Sequence, residues 1–354
     1  MIDRADDRAW RRFAEGFALT ALGLMVVLFA FIWLMDPFGI RAAPGRAPAP
    51  LMDLNQRFMY PQLIRGGRYD SAVFGTSTIR LLDPARLGKV LGGRFMNLGM
   101  NAATPWEQVQ IAELFLRKVP SPNALVFGID PTWCESDADR KTVTFRAFPP
   151  WLYDDDPLND YPELVNLTAL EIAGRVALHR LGLMPARIPD DGYEIFVPDD
   201  GTYDLARARY HLGQWLRADP PAHPYRMGPD EERQLVFPAL RWLETIIASV
   251  PATASVTLVF PPNHVRAQPV AGTREAAVED VCKARIAAIA RAHGSLAIDF
   301  QRASSVTTED GNYWDPLHYR IGIAGRIVDA LGTARTTGQD APDGFYTVLS
   351  PLRR

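Results

Sequence analysis

Hydrophobic positions fall into two patterns along the chain. Residues 16–35 form an uncharged apolar run of about 20 residues, the length needed to cross a bilayer core. Beyond it, short apolar runs at residues 72–74, 94–98, 124–129, 255–260 and 295–300 are bounded by turn-forming residues and read as strands. Between and after them lie segments with helical periodicity. One opens at Thr104-Pro105-Trp106-Glu107, an N-cap, a first-turn proline and a capping box, and buries Val109, Leu114, Phe115 and Val119. Others are expected at residues 162–181, 230–250 and 274–292, with a last one near 323–331. The run at 124–129 is apolar throughout, as in a central parallel strand. Alternating strands and helices predict an α/β three-layer sandwich: a parallel sheet of about five strands with helices on both faces.

The first apolar run reads as a retained single-pass anchor, because it is longer than a signal-peptide core and Trp33-Leu34-Met35-Asp36-Pro37 does not resemble a cleavage site. Arg4, Arg8, Arg11 and Arg12 precede it, and Arg41 and Arg46 follow. The basic side stays in the cytoplasm, so the rest of the chain is expected in the periplasm, anchored in a bacterial inner membrane. Trp33 is expected at the outer interface. The predicted organisation is a cytoplasmic N-terminus (1–12), a transmembrane helix (13–36), a proline-stiffened linker (37–60), a catalytic-type domain (61–340) and a polar tail (341–354). Residues 135–226, rich in Pro, Asp, Tyr and Trp, read as an insertion after the third strand, riding over the strand ends.

A net charge of −3 gives no broad basic surface, so nucleic acid is not an expected partner. The aspartate runs at 154–156 and 199–200 read as solvated loops; neither a metal site nor a cofactor is expected. Cys134 and Cys282 form no ligand cluster. A disulfide is open to them outside the cytoplasm, but two buried thiols are the default expectation.

In parallel α/β sheets, ligands gather at the carboxyl ends of the strands. Ser77, Gly99 with Asn101, Asp130, and Asn263 with His264 all follow directly after predicted strands. A serine hydroxyl becomes a useful nucleophile only when a base removes its proton and a third group orients that base. Asn312-Tyr313-Trp314-Asp315-Pro316-Leu317-His318-Tyr319 offers such a pair: Asp315 stands three residues before His318 across a proline-stiffened turn. The carboxylate can hold the Nδ1 proton and leave Nε2 for Ser77. A plain turn capped by Asp315 is the alternative. His264 is a candidate substrate contact or a structural histidine. Arg80 is a candidate partner for an anionic sugar or phosphate, or a cap on a local carbonyl. Trp106, Trp133 and Trp314 lie near these positions and could stack on sugar rings or simply pack.

Gly75-Thr76-Ser77, Asn97-Leu98-Gly99, Gly128-Ile129-Asp130 and Asp315-Pro316-Leu317-His318 occur in the order of the four blocks of SGNH (GDSL-like) hydrolases. The chain resembles, more narrowly, the membrane-anchored SGNH-like proteins of cell-envelope polysaccharide modification, similar to alginate O-acetylation proteins and to the D-alanyl-transfer protein of teichoic acid. The resemblance spans residues 71–331, interrupted by the insertion. It implies a flavodoxin-like fold and an acyl-enzyme route: Ser77 as nucleophile, His318 as base, Asp315 as its orienting acid, and the amides of Ser77 and Gly99 as oxyanion donors. It further implies O-acyl, specifically O-acetyl, transfer to a cell-envelope or exopolysaccharide. A membrane acyltransferase or another inner-membrane protein would be the partner. An esterase with the same triad and a non-catalytic scaffold are the alternatives. One position departs from the family. The third block carries asparagine there, and this chain carries Asp130, whose ionised form cannot donate. A buried, protonated Asp130, substitution by Asn101, or reliance on backbone amides alone would each meet the departure.

Overall fold

The computed structural model describes residues 4–47 and 49–353. The first three residues of the expected cytoplasmic segment, Pro48 of the linker and Arg354 of the tail lie outside them. Helix α1 (Arg4–Met35) is followed by α2 (Gln56–Arg65), β1 (Ser71–Gly75), α3 (Pro84–Leu91), β2 (Phe95–Gly99), α4 (Pro105–Lys118) and β3 (Ala124–Gly128). Then come α5 (Leu167–Arg180), α6 (Leu205–Gly213), α7 (Pro229–Gln234), α8 (Ala239–Ala248) and β4 (Ser255–Phe260). Helix α9 (Arg274–Ala292), β5 (Leu296–Asp299), α10 (Ile321–Thr337) and β6 (Thr347–Ser350) complete the chain.

The sheet has six strands in the order β2-β1-β3-β4-β5-β6. All neighbours pair in parallel except β6, which runs antiparallel to β5 at the edge. The strands are apolar throughout because both faces are covered. Ala72, Phe74, Leu125, Phe127, Val256 and Leu258 point into one core, shared with Met59, Leu114, Leu243 and Ile286 of α2, α4, α8 and α9. Val73, Val126, Val259, Leu296 and Ile298 point into the other, beneath Leu87 of α3 and Val328 and Leu331 of α10. The order reverses at β1, which lies between β2 and β3, so the loops after β1 and β3 diverge. The resulting crevice is where such sheets bind ligands.

Four expectations change. The polar tail contains β6, so the sheet has six strands rather than five. The helix expected at 230–250 is two helices, because Pro238 lacks an N–H and its ring disfavours a helical Phe237. The helix expected at 162–181 starts at Leu167, where Asn166 Oδ1 caps the Ala169 amide at 2.8 Å. Cys134 and Cys282 are joined in a disulfide, 148 residues apart in sequence. The bond ties the segment after β3 to α9. Replacing both cysteines by serine is expected to cost roughly 2–5 kcal/mol, read as a lower denaturant midpoint with a steeper slope, because the unfolded chain loses its cross-link.

Helix α1 is long and apolar enough over Asp7–Met35 to cross a membrane, and that stretch is almost wholly exposed. Trp33 sits near its end, with the Arg41 guanidinium 4.4 Å from its ring centre.

Candidate active site

Strand β1 ends at Gly75, whose φ of 153° brings the chain tightly onto β3. A Cβ at Gly75 would lie 2.7 Å from Ile79 Cγ2 and 3.2 Å from Gly128 O, so only glycine fits this bend. The chain then turns through a short 3₁₀ segment, Ser77–Ile79, and Ser77 stands at its first position. There its N–H has no acceptor within the turn.

His318 arrives from the loop before α10, 241 residues away in sequence. Its Nε2 is 2.8 Å from Ser77 Oγ, and its Nδ1 is 2.7 Å from Asp315 Oδ2. The Leu317 and His318 amides donate to Asp315 Oδ1 at 2.8 and 3.0 Å, which fixes the carboxylate in the turn. Burial pushes the Asp315 carboxyl upward, but the His318 contact and these two amides outweigh it and hold the group below its ordinary range.

Four further hydrogen bonds aim this loop. Trp314 N–H donates to His318 O at 2.9 Å, closing the turn on itself. Tyr319 Oη donates to Thr78 O, stitching the loop to the residue after the serine. His264 N–H donates to Pro316 O and Tyr313 Oη to Pro262 O, each at 2.9 Å, which anchors the loop to the segment after β4. The Phe196 ring, from the insertion, meets the His318 imidazole edge-on at 5.1 Å.

Beside the serine lies a cavity of about 570 Å³, lined by Ser77 and His318 together with Ala102, Asp130, Thr132 and Asn263. Two of its lining residues carry a buried oxygen with no partner among the described residues: Asp130 Oδ2 and Asn263 Oδ1. Buried polar atoms left unpaired are costly, and a bound ligand is one way to satisfy them. Asp130 Oδ1 is already engaged, accepting from the Thr132 amide at 2.9 Å and from the Thr132 hydroxyl. Burial raises the Asp130 carboxyl above its ordinary range, and hydrogen bonding from Thr132, with lesser contributions from the nearby Thr76 and Gln108 side chains, offsets this only in part.

Several expected roles shift. The Gly99 amide donates to Asn97 Oδ1 at 3.0 Å, so it is not free to receive an oxyanion. Gly99 instead makes room: a Cβ there would lie 2.7 Å from Arg80 Cγ. Asn97 Nδ2 holds the carbonyls of Ile79, Arg80 and Leu82, fixing the turn that bears Ser77. Asn101 does not line the cavity, and its Oδ1 accepts from Arg80 Nη1 at 2.5 Å. Arg80 is 1% exposed, paired with Glu194 and lying over the Phe196 ring, so it positions neighbours and cannot meet substrate. His264 is likewise buried, its Nδ1 accepting from the Arg266 amide, and burial lowers its pKa. Trp314 packs on His211 and Arg207 of α6, away from the cavity. Trp133 is core and donates to Gln108, and Trp106 packs on Phe148.

Phe196 and Arg57 were not singled out from the sequence, and Asn263 only as part of the turn after a strand, with no role given to it. Arg57 is fully buried against Glu107 and donates to Asn101 O at 3.1 Å, which props the turn after β2 from below. A buried arginine beside an N-capping glutamate carries no local sequence signature. Asn263 owes its mention to its place directly after a strand. Among the described residues no group of three or more His, Cys, Asp or Glu side chains is placed to hold a metal ion.

No protein-family model matches the chain, and no curated protein is significantly similar to it.

Proposed function

We propose that the chain is a membrane-anchored, SGNH-like serine O-acyltransferase, moving an acetyl group onto a hydroxyl of a cell-envelope or exopolysaccharide. The observation that carries the reading is the unbroken line of hydrogen bonds from Ser77 Oγ through His318 to Asp315, beside an open cavity. The strand order, the serine at the switch point and the order of the four sequence blocks support it. The disulfide agrees with an oxidising compartment such as the periplasm.

In this scheme Ser77 Oγ attacks the acyl carbonyl carbon of a donor ester while His318 Nε2 takes its proton. The tetrahedral intermediate collapses, the bond to the donor oxygen breaks, and His318 returns the proton to that oxygen. A sugar hydroxyl then attacks the acyl-serine, His318 again taking the proton and passing it to Ser77 as the new ester leaves. An integral-membrane acyltransferase would supply the acyl group from the cytoplasmic side.

The test is to incubate the full chain in detergent with an activated acetyl ester and an acidic or neutral oligosaccharide. The proposal expects acetylated sugar, and an acetyl adduct on the Ser77 peptide by mass spectrometry. Free acetate with no acetylated sugar would assign an esterase instead. No adduct and no turnover would favour a scaffold.

A further inference from the structure

Helix α5 of the insertion runs parallel to the outer half of α1, in the same chain direction. Its last residue, Arg180, donates to the carbonyls of Leu34 and Met35 at the end of α1, each at 3.3 Å. Its first residues reach back toward Met25 and Phe29. Between the two helices lies a groove of about 590 Å³, walled by Met25, Phe29 and Ile32 on one side and Val165, Leu167 and Leu170 on the other. Val165 and Leu167 are 70% and 83% exposed, unusual for large aliphatic groups side by side in water.

The level of this groove is set by its neighbours. Arg41 and Arg180 both close the last carbonyls of α1, and Trp33 stacks on Arg41. Arginine and tryptophan at the end of an apolar helix mark the headgroup level. The α1 wall of the groove lies on the other side of that level. At a rise of 1.5 Å per residue, Phe29 is about 9 Å short of Met35 along the helix. Glu163, exposed just before Val165, limits how deeply the tip of α5 sinks, so the tip belongs at the upper acyl chains rather than the bilayer centre.

We infer that the start of α5, with Val165 and Leu167, is a second membrane contact, and that acyl chains of the outer leaflet fill the α1–α5 groove. This rests on the reading of α1 as a transmembrane span. The insertion thereby does more than cover the sheet. It holds the domain at one height and tilt above the bilayer, with Phe196 of the same insertion against His318.

The experiment is site-directed spin labelling of the full chain in vesicles of phosphatidylethanolamine and phosphatidylglycerol. Leu167→Cys is the probe, Phe29→Cys the control for the span, and Leu216→Cys (92% exposed) the control for water. The native cysteines are paired, so only the new thiol takes the label. Accessibility to oxygen, which partitions into lipid, is compared with that to a water-soluble nickel chelate. The ratio at Leu167 is expected to be several-fold above that at Leu216 and on the side of Phe29. A water-like Leu167 with a lipid-like Phe29 would overturn the second contact and leave the anchor standing. Water-like values at both would remove the anchor and the inference with it. Shielding of Leu167 from both reagents would mean that protein, not lipid, covers the groove, and would also overturn it.

Discussion

Asp315→Asn is expected to slow acylation of Ser77 by about 10⁴-fold while leaving the fold intact. The expectation follows from which oxygen does what. Asp315 Oδ1 accepts two backbone amides that shape the turn, and an asparagine oxygen can keep both. Oδ2 faces His318 Nδ1, and there asparagine presents an NH₂. Two donors cannot face each other, so the imidazole takes the other tautomer and its Nε2 carries a proton toward Ser77. A base that already holds its proton cannot take another. Labelling rates with a fluorophosphonate probe measure this directly, with circular dichroism melting to check the fold. Ser77→Ala should abolish labelling and His318→Gln should approach that limit. A labelling rate for Asp315→Asn within tenfold of the parent would mean that Asp315 only shapes the turn.

The parts of this site that were legible in the sequence are those set by local rules. Ser77 follows a short apolar strand and a glycine, and Asp315 lies one turn before His318, so strand-end placement and spacing suffice to nominate them. The α/β class was legible for the same reason, since short apolar runs alternate with segments of helical periodicity. What failed depended on side-chain partners that only the folded chain reveals, most of them far along the sequence. Whether Arg80 meets substrate is decided by Glu194 and Asn101, and whether His264 does is decided by how the loop after β4 packs under Tyr313. The Gly99 amide looked available because nothing in a sequence says that the side chain two residues earlier will claim it. Strand β6 was hidden because a four-residue antiparallel edge needs little apolar character and sits in a polar tail. Helix α2 was missed for a similar reason, carrying Pro61 within it and being buried by tertiary contacts rather than marked by amphipathic spacing.

Those details converge on Asp130. With the Gly99 amide spent on Asn97, an oxyanion at Ser77 is left the Ser77 N–H and whatever the cavity wall provides. Asp130 Oδ2 is buried there and unpaired. As a carboxylate it would repel the developing charge; as an acid it donates a hydrogen bond. Burial raises its pKa, favouring the acid form. Asp130→Asn is therefore expected to hold its acylation rate as pH rises, where the parent declines as Asp130 ionises. Asp130→Ala should lose about 10²–10³-fold, the usual cost of one oxyanion donor, at the acidic end where the parent is protonated. Stability should follow the same sign. A carboxyl whose folded pKa lies above its unfolded value contributes fully at pH below the unfolded value and loses that contribution as pH rises through the folded one. Asp130→Asn should thus gain stability relative to the parent at neutral and alkaline pH, with the difference shrinking on acidification. Paired pH profiles of labelling rate and denaturant midpoint test both. Parallel profiles for Asp130→Asn and the parent would show that no proton on Asp130 matters, and the oxyanion would have to rest on backbone amides alone.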